Sequence, residues 1–304
     1  MDIFKIVLSV FGLCLFEVVS SVDNAVINAD ILSTMNAKWR RWFLVWGIFF
    51  SVFLVRGILP WLIVWLSNPQ IGPFGAFTAA FSHDPLVKES LEKSSPLLLM
   101  AGGLFLIFLF FNWLFLEHKS FGLPMERFFS KQGVWFFAVV SLLLSAVIWL
   151  ALKKNPMLAF AASIGSSLFF ITHGFKQYAT QAEMAVKTGS RKLSDISKLM
   201  YLEVIDATFS IDGVIGAFAF TMSVPIILLG NGLGAVVVRE FTIRGVDQIK
   251  KFPLLKNGAM YSVFCLGILM LLESFGVHVP HYAAPLATFI IIGFFFFKSV
   301  SKKV

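Results

Sequence analysis

A helix that crosses a bilayer takes about 20 mostly apolar residues, and this chain supplies nine such runs one after another. They cover 3–27, 42–66, 97–116, 134–152, 157–175, 199–222, 225–243, 258–275 and 284–297. Of 304 residues, 58% are hydrophobic, 36 are Phe and only 14% are charged, more apolar surface than one soluble core can bury. The runs are apolar throughout rather than alternating with period two, which excludes barrel strands and predicts helices. The expected fold is therefore an all-α polytopic membrane protein of about nine transmembrane helices. The first run has the look of a signal peptide, but Glu17 and Asp23 interrupt it and no A-x-A-like cleavage site follows. It is read as the first span.

Charge orients this array. With nine spans, the segments 28–41, 117–133, 176–198, 244–256 and the C-terminal tail share one side and carry 18 Lys and Arg, Lys176 among them. The other side carries five: Lys5, Lys88, Lys93, Lys153 and Lys154. Positive charge collects in the cytoplasm, so the C-terminus is expected inside and the N-terminus outside a plasma or bacterial inner membrane. The net charge of +8 fits a solvated face beside anionic lipid rather than a nucleic-acid partner. Substitutions in the 176–198 loop are accordingly expected to do little. Cys14 and Cys265 both lie inside spans and read as small core residues.

Two stretches place acid inside this apolar sequence. The first is Glu17-Val18-Val19-Ser20-Ser21-Val22-Asp23-Asn24; the second is Glu203-Val204-Ile205-Asp206-Ala207-Thr208-Phe209-Ser210-Ile211-Asp212-Gly213. Aligned on the second acid, Glu17 falls on Asp206, Asp23 on Asp212 and Asn24 on Gly213. A carboxylate in a span costs about 2.5–3.5 kcal/mol even on the lenient insertion scale, so it marks function by default. Each motif is followed by an arginine in the next span, Arg56 and Arg239, and by glycine opening the third, Gly102-Gly103 and Gly258. Five spans separate the starts of the two units, an odd number, so they cross in opposite senses. The expected organisation is two inverted three-helix repeats: 1–116 as the first unit, 117–198 as a central insertion with two spans, and 199–304 as the second unit plus a terminal span. Such repeats put substrate sites at mid-membrane.

The donor set is all oxygen. Glu17, Asp23, Glu203, Asp206 and Asp212 offer carboxylates; Asn24, Asn28, Ser20, Ser21, Thr208 and Ser210 offer neutral oxygens; neither motif holds Cys or His. Oxygen-only sites suit Mn²⁺, Ca²⁺ and Mg²⁺ over zinc or copper. On a straight helix Glu203, Asp206, Ser210 and Gly213 share a face, while Asp212 lies about 120° from Asp206. A helix broken near Asn24 and Gly213 would let both acids of a motif converge. The plainer reading is a structural network in which Arg56 and Arg239 neutralise acids. Two arginines cannot offset five carboxylates, so protons or a divalent cation must enter as well. No organic cofactor is implied.

The pair of motifs resembles the acidic signatures of TerC-type membrane proteins, in the superfamily of lysine-exporter-like transporters. The likeness extends to the arginine of each second helix, to Lys256-Asn257-Gly258 and to Val277-His278-Val279-Pro280. It covers most of the chain outside 67–96 and 117–198, and the long middle marks a divergent branch. Gly213 stands where many members have serine. The resemblance implies manganese export or tellurium resistance, with Asp23, Asn24 and Asp212 as carried-over metal ligands. The expected function is thus a transporter of a divalent cation, Mn²⁺ favoured, exchanged for protons, and not an enzyme. A non-transporting accessory protein that supplies metal to, or scaffolds, secretory machinery is the alternative. An intramembrane aspartyl protease also needs paired membrane aspartates, but no Gly-x-Gly-Asp accompanies Asp23 or Asp212.

Overall fold

The structure, a computed structural model, describes residues 3–47, 50, 57–67, 69–78, 85–119, 122–187, 194–244 and 252–301. Within these, the side chains of 22–24, 26–27, 30, 44–45, 59, 67, 85–88, 90–92, 178–187, 205, 208–209, 241 and 243–244 lie outside the description. No strand occurs among the described residues, and the protein is an all-α polytopic membrane protein.

Helices α1 (Ile3–Ser20), α6 (Pro85–Leu116), α8 (Phe136–Lys154), α9 (Pro156–Lys187), α12 (Leu255–Ser274) and α13 (Ala283–Ser301) supply six stretches long and apolar enough to cross a membrane. They correspond to the first, third, fourth, fifth, eighth and ninth expected spans. The sixth and seventh are helices α10 (Asp195–Ala217) and α11 (Val224–Arg244), of 23 and 21 residues, which carry buried charge instead of a uniformly apolar surface. The second falls partly outside the described residues; its ends are α3 (Ala37–Trp42), a π-helical turn at Phe43–Gly47, and α4 (Leu59–Ser67).

Three boundaries differ from expectation. The first span is two helices, α1 and α2 (Val22–Ser33), parted at Ser21. Helix α6 begins at Pro85, well before the expected start of the third span at 97, and the segment between the second and third spans also holds a short helix, α5 (Gly72–Thr78). Helix α9 continues past its apolar stretch to Lys187, so half of the expected 176–198 loop is helix. Apolar periodicity marks where hydrocarbon begins and ends, and a helix is free to continue beyond it.

Local chemistry explains the sharp turns. Asn155 is extended, as a residue before proline must be, and its Oδ1 accepts from Met157 N at 2.9 Å. Pro156 then opens α9, where its missing N–H costs nothing. At the end of α12, Gly276 takes a φ of 80°; its N–H bonds Glu273 O at 2.8 Å and Val277 N bonds Leu272 O at 3.0 Å. This is a Schellman stop, which favours glycine at that position.

Close helix crossings rest on glycine, because apolar lipid gives helices no hydrophobic reason to associate. A Cβ on Gly103 of α6 would lie 2.9 Å from Gly267 O of α12, and one on Gly267 would lie 3.0 Å from Gly103 O. Helix α11 meets α1 the same way: a Cβ on Gly230 would lie 2.6 Å from Leu13 Cβ, and one on Gly234 2.6 Å from Glu17 Cβ. Helix α6 is enclosed, with Met100, Leu104, Phe105 and Leu106 fully buried, while α8 exposes Phe137, Leu142 and Trp149 as a lipid-facing surface.

Candidate functional site

Helix α10 carries the second acidic motif through the middle of the bundle, touching α1, α2, α6, α9, α11 and α12. Its first turn is fixed twice. Ser194 caps it by accepting from Ser197 N, and Asp195 Oδ2 accepts from Asn36 Nδ2 at 2.5 Å, tying it to the turn after α2. Lys198 Nζ adds bonds to Thr34 O and Oγ1 at 3.2 and 3.1 Å. The end of the first motif's helix therefore sets the register of the second motif.

The two motifs meet at Glu17 and Gly213. Glu17 is 1% exposed; its stem lies on Gly234, and its Oε1 accepts from Ser21 Oγ at 2.9 Å. Its Oε2 sits 2.6 Å from where a Cβ on Gly213 would be, closer than any side chain could be tolerated. The expected helix break at Gly213 is absent: α10 runs unbroken to Ala217. Glycine serves close approach here, and the space a serine side chain would fill is taken by the Glu17 carboxylate. The division belongs to the first motif alone, at Ser21, whose hydroxyl donates to Glu17 one turn earlier.

An unbroken α10 also sends its acids to different neighbours, as the angle of about 120° between Asp206 and Asp212 requires. Asp206 is 6% exposed with Arg239 Nη2 at 4.0 Å from its Oδ2. Arg239 also donates to Phe43 O at 2.5 Å and stacks over the Phe43 ring at 4.0 Å. Glu203 Oε1 and Arg239 Nη1 both crowd the space that a side chain on Gly47 would fill. The structural network weighed against a cation site is thus present at Arg239. Ser210 Oγ donates to Asp206 O at 2.6 Å, so its hydroxyl is already engaged. Asp212 instead pairs with Lys176 of α9, each side chain 16% exposed.

Several oxygens remain unpartnered in the interior: Glu203 Oε1 and Oε2, Asp212 Oδ1 and Asn28 Oδ1 are buried with no hydrogen-bond partner. They are hard donors of the kind a divalent cation takes. Among the described residues no three Asp, Glu, His or Cys side chains converge tightly enough to hold a metal between them. The side chains of Asp23 and Asn24 lie outside the described residues, as does Arg56. Ser20 is engaged through its hydroxyl, which donates to Glu17 O at 3.3 Å. An apolar cavity of about 420 Å³ walled by Trp61, Phe74, Phe77 and Leu228 contains none of the acids.

Two residues escaped the sequence reading. Asn231 of α11 is fully buried with both side-chain polar atoms unpartnered, and a lone amide inside an apolar run was its signal. Lys176 was grouped with a solvated loop because it follows the last apolar residue of its run. Its helical continuation from Phe175 could have been suspected, but its partner could not.

The sequence signature of one family spans nearly the whole of this architecture, matching residues 22–303: DUF475, described as a protein of unknown function. The chain belongs to the DUF475 family. It is also similar to the uncharacterized membrane protein YceF of Bacillus subtilis, 31% identical over 26% of this chain and 31% of the relative. A UPF0053 protein of Haemophilus influenzae is 28% identical over 34% of this chain and 44% of its own length. The UPF0053 inner membrane protein YgdQ of Escherichia coli K12 is 27% identical over 45% and 62%. The chain therefore spans between a third and two thirds of the relatives it matches. No solved structure matches it. Together with the apolar helices, these relatives establish an integral membrane location for this DUF475 member.

Proposed function

We propose that this protein is a carrier, not an enzyme, which moves a hard divalent cation through the membrane in exchange for protons. Mn²⁺ is the favoured cargo, with Ca²⁺ or Mg²⁺ sharing the ligand chemistry. The observation that carries the reading is the meeting of the two motifs, with Glu17 Oε2 2.6 Å from the Cβ position of Gly213, directly beside Asp212. The described acids are Glu17, Glu203, Asp206 and Asp212, with Arg239 beside Asp206 and Lys176 on Asp212. Carboxylates gathered in this way favour the entry of protons or a metal ion. The likeness to TerC-type proteins supports the same cargo, and the inverted repeat 1–116 and 199–304 supplies a rationale for alternating access at mid-membrane. Asp23 and Asn24 complete the proposed ligand set from the α2 side, with Arg56 opposite Arg239. The basic face would rest on anionic lipid of the inner leaflet.

The test is flux in reconstituted vesicles. Wild type should move Mn²⁺ with counter-movement of protons, and Asp23→Asn and Asp212→Asn should each abolish it in correctly inserted protein. Ligand carboxylates must be deprotonated to hold metal, so binding should weaken as pH falls from 8 to 5. Metal that binds but is never moved would favour the accessory-protein reading; wild-type flux in both Asn variants would reduce the acids to a structural role.

A further inference from the structure

Lys176 is an unexpected partner for Asp212. It belongs to the central segment 117–198, outside both repeat units, and lies 11 residues before the end of α9 at Lys187. At 1.5 Å per residue that is roughly 16 Å before the end of the helix, in the last turn of its apolar stretch, where the lysine is nonetheless largely buried. Its ammonium lies on Asp212 Oδ2 with both side chains only 16% exposed. Asp212 Oδ1, by contrast, is buried with no hydrogen-bond partner. The pair is thus one-sided: one carboxylate oxygen takes the ammonium, and among the described residues the other accepts no hydrogen bond.

The surroundings give the lysine somewhere to go. One turn earlier on α9, His173 Nε2 lies 2.9 Å from Gln177 Nε2 and 3.4 Å from Asn112 Nδ2 of α6. His173 stacks on Phe169 with ring centroids 5.7 Å apart. These contacts engage the amide nitrogens of Gln177 and Asn112 with the imidazole, so the two amide oxygens are the acceptors left for an ammonium that has left a carboxylate, and a lysine stem has four rotatable carbons with which to make the move.

We propose that Lys176 is a tethered counter-ion that competes with the transported cation for Asp212. This rests on the carrier reading. Entry of a divalent ion displaces the ammonium from Asp212, and its exit lets the ammonium return, so the carboxylate is never left bare in the membrane interior. The arrangement selects for charge: a monovalent cation gains no more at Asp212 than the lysine already provides, whereas a divalent ion offers twice the attraction. Sequences that reach Asp212 with a neutral residue in this place should bind cations more tightly and discriminate less well.

The experiment is Mn²⁺ binding to purified full-length protein, comparing wild type with Lys176→Gln, Lys176→Arg, Asp212→Asn and the double variant Lys176→Gln/Asp212→Asn. Removing the competitor should tighten Mn²⁺ binding by about tenfold. Arginine, which keeps the charge, should hold binding near wild type. In the Asp212→Asn background the Lys176→Gln change should have little effect. An independent reading needs no variant: acylation of the Lys176 amine, quantified by mass spectrometry in wild type, should rise when Mn²⁺ is added. Unchanged or weaker binding in Lys176→Gln, or a Lys176 amine whose labelling ignores Mn²⁺, overturns the proposal while leaving the carrier reading intact. Absence of Mn²⁺ binding in every protein, Lys176→Gln included, overturns both.

Discussion

At the scale of single residues, the contact between Glu17 and Gly213 decides most. A carboxylate oxygen 2.6 Å from a Cβ position leaves no room for even a methyl group, and Glu17, 1% exposed, has no open side to retreat to. Gly213→Ala should therefore push the Glu17 carboxylate off its seat and weaken Mn²⁺ binding by about tenfold or more, ~1.4 kcal/mol. Gly174 on α9 is the control, since a Cβ there meets nothing within 4 Å. Gly174→Ala should leave binding unchanged and, by better helix propensity, leave the fold no weaker. Equal binding in the two variants would show that Glu17 does not depend on this seat. The chemistry of the acids could be read from sequence because charge in an apolar run is conspicuous. Which acid meets which neighbour could not. Spacing along α10 gave the angle between Asp206 and Asp212, but only packing shows that the angle leads one to Arg239 and the other to Lys176.

At the scale of elements, buried polar joints hold the bundle's helices in register. Between α6 and α12 the short helix α7 (Pro124–Ser130) carries Glu126, fully buried. Its Oε2 accepts from Leu123 N at 2.8 Å and from Asn257 Nδ2 at 2.6 Å, closing the first turn of α7 while clasping the first turn of α12. Glu126→Ala strands both donors in the interior. The expected loss is about 1–3 kcal/mol per unsatisfied group, seen as a lower Tm in detergent. The exposed pair Lys93–Glu89, with side chains 75% and 59% accessible, offers the contrast: Lys93→Ala should leave Tm where it is. Equal Tm for Glu126→Ala and wild type would mean the joint is solvated in the membrane-embedded protein. Such joints are hard to see in advance. Glu126 lies in a polar loop of the sequence, where a glutamate draws no notice, and its burial follows only from the way the loop folds back onto Asn257. The helical runs themselves were legible because hydrocarbon thickness fixes their length. The break at Ser21 and the extension of α9 to Lys187 were not, since hydropathy sets where an apolar run ends and not where a helix does.

At the scale of the whole molecule, the number of crossings and their direction tie the topology to the proposed mechanism. Among the described residues six helices meet the length and hydropathy of a span. Helices α10 and α11, of 23 and 21 residues, have the length of a span as well, and they carry Glu203, Asp206 and Arg239 in buried positions. The distribution of Lys and Arg, 18 against five between the two expected sides, argues for an odd number of crossings with the C-terminus inside. In the proposed nine-span topology an odd separation between the two acidic motifs would make their units antiparallel, so the topology is a test of the proposed mechanism. A reporter fused after Val304 should read cytoplasm, and one inserted beside His83 should read the outside. A third, in the turn at Asn155 between α8 and α9, should also read the outside, because Lys153 and Lys154 there belong to the sparsely charged side. Val304 and His83 on the same side would change the parity, and two parallel motifs could not present their acids to opposite faces of the membrane in alternation.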